Sequence, residues 1–233
     1  MYTKVHCAPR CGVLPVGTLG LLLLWVVNSG LAQSTIPAQI ERHAHYLFYF
    51  HGGVVTVAGD NAINSAQPDW GPYQYSAILD SLRKRGFIVV GEIRKEGVPD
   101  SVYVSKLADD IDRLFDEEVQ PEHILIVGAS AGNNIVLHAA SKLRNASLKF
   151  VITGGCWPDT HKEYTALPLY GHFLSIIESS DPHGTCSAIF KRRSLGSFRE
   201  IKLRTGLSHG FLYRGLSDWI DPMARWYREI QRQ

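Results

Sequence analysis

Six short runs of bulky apolar residues recur along this chain, and they limit its fold more than any other feature. They are "YLFYF" (46–50), "FIVV" (87–90), "ILIV" (124–127), "FVI" (150–152), "FLSII" (173–177) and "IKL" (201–203). A strand with one face in water alternates apolar and polar residues; a run without alternation must be covered on both faces. Most of the runs are of the second kind. The last alternates, as an edge strand with one wet face does. Between the runs the apolar residues follow helical spacing. Tyr75, Ile78, Leu79 and Leu82 form one stripe. Val104, Leu107, Ala108, Ile111, Leu114 and Phe115 form another, with Asp109, Asp110, Asp112 and Asp116 off it. Met223, Trp226, Tyr227 and Ile230 form a third, with Asp221 and Pro222 expected as N-cap and first-turn residue. Strands alternating with helices predict an α/β fold: a mostly parallel sheet of about six strands with helices on both faces. Ligands of such sheets bind beyond the carboxyl ends of the strands, so the loops just after the apolar runs are where chemistry is expected.

The first 32 residues differ in kind. Lys4 and Arg10 precede an apolar stretch, Leu19 to Val27, and "NSGLA" closes it. A basic start, a short apolar middle and a small-residue end describe an export signal cut after Ala32. Pro15, Gly17 and Gly20 interrupt the wider apolar stretch, and the unbroken part is short for a membrane span. The expected mature chain, 33–233, has the size of one domain. Without Lys4 and Arg10, 22 of the 24 basic residues face 22 acidic ones. That neutral balance gives no basic run for nucleic acid and none for an anionic membrane after cleavage. The expected location is periplasmic or extracellular. Cys7 and Cys11 leave with the signal; Cys156 and Cys186 remain, each in a loop after neighbouring strands, and can pair in an oxidising compartment.

The run "ILIV" ends in Gly128-Ala129-Ser130-Ala131-Gly132, which fits G-x-S-x-G. Lifting a serine hydroxyl clear at a tight strand-to-helix turn requires small neighbours, so that the backbone can fold closely. Ile135, Val136, Ala139, Ala140 and Leu143 give the segment after it an inward helical face. A serine hydroxyl is a poor nucleophile until a base takes its proton, and the base needs a third group to orient it. "SHGF" after the last run supplies His209, and "ESSDP" after the run before it supplies Asp181. The order Ser130, Asp181, His209 is the one expected when the nucleophile sits in such a turn. "FHGGVV" follows the first run. The N–H groups of Gly53 there (or of Val54) and of Ala131 are the expected oxyanion donors.

With "FHGG", "GASAG", "SSDP" and "SHGF" in this order, residues 45 to 232 resemble the α/β-hydrolase superfamily. The resemblance implies a serine hydrolase working through an acyl-enzyme, with the His51–Gly53 and Ser130 loops on neighbouring strands. The sequence departs from the pattern in three ways. Only about a dozen residues lie between the expected cleavage site after Ala32 and the first strand, so the two antiparallel strands that often open the fold are expected to be missing or vestigial. "HGGVV" is not the full HGGG. The stretch from Gly154 to Gly171 is too short for a cap domain, which points to small or soluble acyl substrates. The resulting expectation is a carboxylesterase that needs no cofactor and acts on a small-molecule acyl ester. Peptidase, thioesterase or acyltransferase chemistry and a non-catalytic binding protein are the alternatives. Oligomeric state is not legible.

Several residues carry second readings. Asp159 is the alternative acid, and Glu178 is expected still inside its strand. His183 shares the acid's loop, and His138 falls on the helix after Ser130. His51, His161, His183 and Asp181 could be imagined around a metal, but no ligand spacing supports one and none is expected. Trp70, Tyr73, Trp157, Tyr164 and Tyr170 either wall a pocket or anchor loops. Asn145-Ala146-Ser147 matches a glycosylation acceptor but is better read as the end of the preceding helix.

Overall fold

The computed structural model describes residues 1–3, 35–157, 161–190 and 195–232. The chain divides into two units, Met1–Leu31 and Ala32–Gln233, and every described helix and strand belongs to the second. The segment read above as an expected export signal falls almost wholly outside the described residues. Among the described residues, no helix is long and apolar enough to cross a membrane.

The strands are β1 (His45–Phe50), β2 (Ala62–Ile63), β3 (Pro72–Tyr73), β4 (Phe87–Gly91), β5 (Ile124–Ala129), β6 (Lys149–Thr153), β7 (His172–Glu178) and β8 (Ser197–Leu203). The helices are α1 (Gly53–Ala58), α2 (Tyr75–Arg83), α3 (Asp100–Asp116), α4 (Gly132–Leu143), α5 (His161–Ala166), α6 (Ser187–Phe190) and α7 (Ser217–Ile230). Strands β2 and β3 form a small antiparallel pair. The other six make one sheet in the order β4-β1-β5-β6-β7-β8, with every neighbouring pair parallel.

The lack of alternation in the apolar runs has its physical reason here. Tyr46, Phe48, Phe50, Ile124 and Ile126 face α3 and α4 in one core. Leu47, Tyr49, Leu125 and Val127 face α2 and α7 in the other. Each large side chain so buried contributes about 1.5–3 kcal/mol. Strand β8 lies at the sheet edge and is only partly covered, as its alternation requires.

The chain steps from β1 to β4 on one side, then crosses to β5 on the other. Loops leaving β1 and β5 therefore diverge and leave a crevice between them. The register pairs Phe50 with Gly128, so the two loops start side by side. At the other end of the same edge, Glu178 pairs with Leu203, which sets the loops after β7 and β8 together.

One local expectation fails. Asp221 and Pro222 do not open the last helix; α7 begins at Ser217, with Leu216 as its cap, and holds Pro222 inside. Trp219 and Ile220 are buried at 1% and 0% exposure. Covering them against the sheet requires helix before the proline, and that burial outweighs the single hydrogen bond Pro222 cannot donate.

Candidate active site

The turn from β5 into α4 is as tight as the small residues around Ser130 permit. A Cβ built on Gly128 would lie 2.8 Å from the backbone of Gly132 and from Val136. One built on Gly132 would lie 2.1 Å from the carbonyl oxygen of Phe50. Ser130 itself has φ of 52°, in the left-handed region that costs a non-glycine residue about 1–3 kcal/mol. The strain is held by its own backbone: the Ser130 N–H donates to Thr153 O at 3.0 Å, and the Asn133 N–H donates to Ser130 O at 2.9 Å.

The hydroxyl raised by this turn meets an imidazole. His209 lies on a 3₁₀ turn, Ser208–Tyr213, beyond β8, and its Nε2 is 2.9 Å from Ser130 Oγ. Its Nδ1 is 2.6 Å from Asp181 Oδ2. The other oxygen, Oδ1, is also engaged: it accepts from the His183 N–H at 3.0 Å and lies 2.6 Å from His183 Nδ1. Burial raises the Asp181 carboxyl. The hydrogen bond and charge of His209 and the bonds from His183 outweigh that and hold it below its ordinary value. The rings of His183 and His209 are 4.5 Å apart.

A cleft of about 370 Å³ opens over these groups. Trp70, Tyr73, Trp157 and Tyr213 give it aromatic walls, and Gly53, Ser130, Ala131, His183 and His209 lie along it. A smaller cavity of about 120 Å³ reaches Ser130 from the side of Asn133, Cys156 and Tyr164. A Cβ on Gly53 would sit 3.6 Å from that of Ala131, so these two backbone segments adjoin beside the serine. Neither N–H is spent on a turn or loop hydrogen bond among the described residues. The arrangement can deprotonate the hydroxyl, stabilise the resulting imidazolium and offer two donors to a developing oxyanion.

No family model and no curated protein matches the sequence. The fold does match solved structures. An arylesterase is 12% identical, with 81% of this chain and 76% of that chain covered at a TM-score of 0.54. An esterase/lipase from an uncultured bacterium is 14% identical, covering 82% and 77% at 0.53. An esterase from the bacterial hormone-sensitive lipase family is 14% identical, covering 85% and 79% at 0.52. The chain has the α/β-hydrolase fold.

Within this α/β-hydrolase fold the first described strand is β1, and the described sheet has no antiparallel strand. The stretch between β6 and β7 carries α5 and no described strand or second helix. Cys156 and Cys186 are joined by a disulfide that ties the loop after β6 to the loop after β7. Asp159 lies outside the described residues, as does the side chain of His161. Glu178 ends β7. His138 sits 3.4 Å from Glu163 on the α4 surface. Tyr164 lines the smaller cavity, whereas Tyr170 lines neither of the two cavities at Ser130. Asn145 follows α4 and accepts the Ser147 N–H at 2.9 Å.

Among the described residues, His51 joins no group of converging metal donors. It is fully buried beneath the loop it begins: Nδ1 is 2.8 Å from Gly52 O, and Nε2 accepts the Arg94 N–H at 2.8 Å. Burial drives its pKa down to about 4, with Arg94 adding to the effect and the Gly52 bond opposing it, so the ring is neutral at neutral pH. The donors that do converge are Asp181, His183 and His209, whose ligand atoms lie within 4.8 Å of one another.

Arg94 and Asn133 escaped the sequence reading, as did the bonds that Tyr73 and Glu178 make. Arg94 donates from Nη2 to His51 O at 2.7 Å and pairs with Asp100 at 3.1 Å, which pins the loop after β1. Tyr73 accepts the Gly52 N–H at 3.3 Å. Asn133 bridges to Thr153 O, Gly155 O and the Thr153 N–H. Glu178 binds the loops after β7 and β8 together: it accepts from Ser179 and Ser180 on one side and from the N–H and hydroxyl of Thr205 on the other. The available signal was a polar residue inside an otherwise apolar buried face, which marks Asn133 and Glu178 but does not name their partners.

Proposed function

We propose that the protein is a serine hydrolase, a carboxylesterase acting on small or soluble acyl esters. The observation that carries this is the continuous contact Ser130 Oγ to His209 Nε2 to Asp181 Oδ2, at 2.9 and 2.6 Å, on the floor of an open cleft. As Ser130 Oγ attacks the acyl carbon, His209 Nε2 takes its proton. Asp181 keeps the other ring nitrogen protonated and stabilises the imidazolium. The carbonyl oxygen becomes an oxyanion received by the N–H groups of Gly53 and Ala131. His209 then gives its proton to the departing alkoxide, leaving an acyl-Ser130 ester. Water, deprotonated by the same imidazole, attacks that ester and releases the acid. The aromatic walls favour apolar acyl or alcohol groups. The fold shared with the esterases above agrees with this reading. The basic, apolar and small-residue pattern of the first 32 residues, together with the disulfide, supports an exported protein.

The test is a fluorophosphonate probe followed by peptide mapping, with hydrolysis of p-nitrophenyl esters in parallel. The expected result is a single adduct on Ser130, absent in Ser130→Ala, with esterase activity falling by about 10³-fold or more in that variant. A folded protein that hydrolyses no ester and takes no label at Ser130 overturns the assignment.

A further inference from the structure

Asp181 serves two histidines, and only one of them touches Ser130. His183 presents both its backbone N–H and its ring Nδ1 to Asp181 Oδ1 at 3.0 and 2.6 Å, while His209 takes Oδ2 at 2.6 Å. The carboxylate is 1% exposed and the His183 ring 29%, so the second histidine lies between a buried charge and the cleft. Trp157 covers it with ring centres 4.4 Å apart. Glu178 is committed to Thr205, Ser179 and Ser180. No lysine or arginine among the described residues lines the cleft.

We infer that His183 is a positioning residue for the hydrolase reaction proposed above: it clamps the plane of the Asp181 carboxylate and so aims Oδ2 at His209 Nδ1. The clamp follows from geometry, because two donors on Oδ1 leave Oδ2 a fixed direction toward His209.

The experiment measures kcat and KM on p-nitrophenyl acetate for wild type, His183→Asn and His183→Phe, with circular dichroism confirming the fold. The backbone N–H at this position still donates to Oδ1 in both variants; an asparagine side chain can donate as well, and a phenylalanine side chain cannot. In His183→Phe kcat should fall about tenfold or more, with KM changed less, because one of the two donors to Oδ1 is lost. In His183→Asn kcat should stay near wild type. An unchanged kcat in His183→Phe overturns the proposal. So does an equal loss of kcat in the two variants, which is what a merely packing role would give. Labelling of Ser130 by the fluorophosphonate in every variant separates this failure from failure of the hydrolase assignment.

Discussion

Gly132 lies so close to Phe50 that a Cβ on it would stand 2.1 Å from the Phe50 carbonyl oxygen. The contact joins the start of α4 to the end of β1, the two segments whose loops flank the Ser130 hydroxyl. The last glycine of G-x-S-x-G is thus required by a strand distant in the chain, and not only by the turn. In Gly132→Ala the overlap is with backbone, which cannot swing aside. The expected cost is at or above the upper end of the roughly 1–3 kcal/mol typical of overpacking. Urea unfolding of the variant should show a lowered midpoint or no folded baseline. A midpoint equal to wild type contradicts the packing described for this turn.

The buried carboxylate of Glu178 makes the link between the acid-bearing and base-bearing loops dependent on pH. Burial raises its pKa, but the bonds from Thr205, Ser179 and Ser180 bring it down from 4.5 to about 2. A group depressed by folding contributes stability that is fully present above its unfolded value and lost as pH falls toward its folded one. Glu178→Gln should therefore be less stable than wild type at neutral pH, and the gap should close between pH 4.5 and about 2. It should also lower kcat more than it raises KM, since Ser208, next to His209, hangs from Ser180 by two hydrogen bonds. Chemical denaturation at stepped pH, with kinetics at pH 8, checks both. A gap that stays constant through acid pH rules out the charged form as the stabilising one.

The disulfide Cys156–Cys186 closes a segment with a sequence separation of 30. Chain entropy alone values such a cross-link at about 3–4 kcal/mol. Because Cys156 precedes Trp157, and Trp157 covers His183, reduction should act on the cleft as well as on stability. Cys156→Ser with Cys186→Ser should lower the melting temperature by at least about 5 °C and weaken substrate binding more than turnover. Alkylation of both thiols without reductant in native protein purified from an oxidising compartment is the outcome that excludes the bond.

Much of the architecture could be read before any coordinates. Runs such as Leu125–Val127 and Phe150–Ile152, apolar at every position, have only one low-energy setting: between two layers of helix. The tight turn at Ser130 was legible from its small neighbours; its left-handed backbone was not. The start of α7 was not, because Asp221-Pro222 is a strong local signal and the burial of Trp219 that overrides it is a tertiary event. Arg94, the bond from Gly52 to Tyr73 and the second donor pair on Asp181 were equally hidden. A spacing of two between Asp181 and His183 leaves open whether their side chains meet, and here the loop turns back, with the His183 N–H on the carboxylate.

The division follows the range of the forces. Hydrophobic periodicity and turn sterics act within a few residues, so the amino-acid order alone determined that this chain forms a two-sided parallel sheet with a serine at a sharp corner. Which hydroxyl, imidazole and carboxylate come within 3 Å, and that a second imidazole joins them, depends on the register of β7 on β8 and of β1 on β5. Hydrogen bonds demand placement to a few tenths of an ångström, and only the packed tertiary structure supplies that.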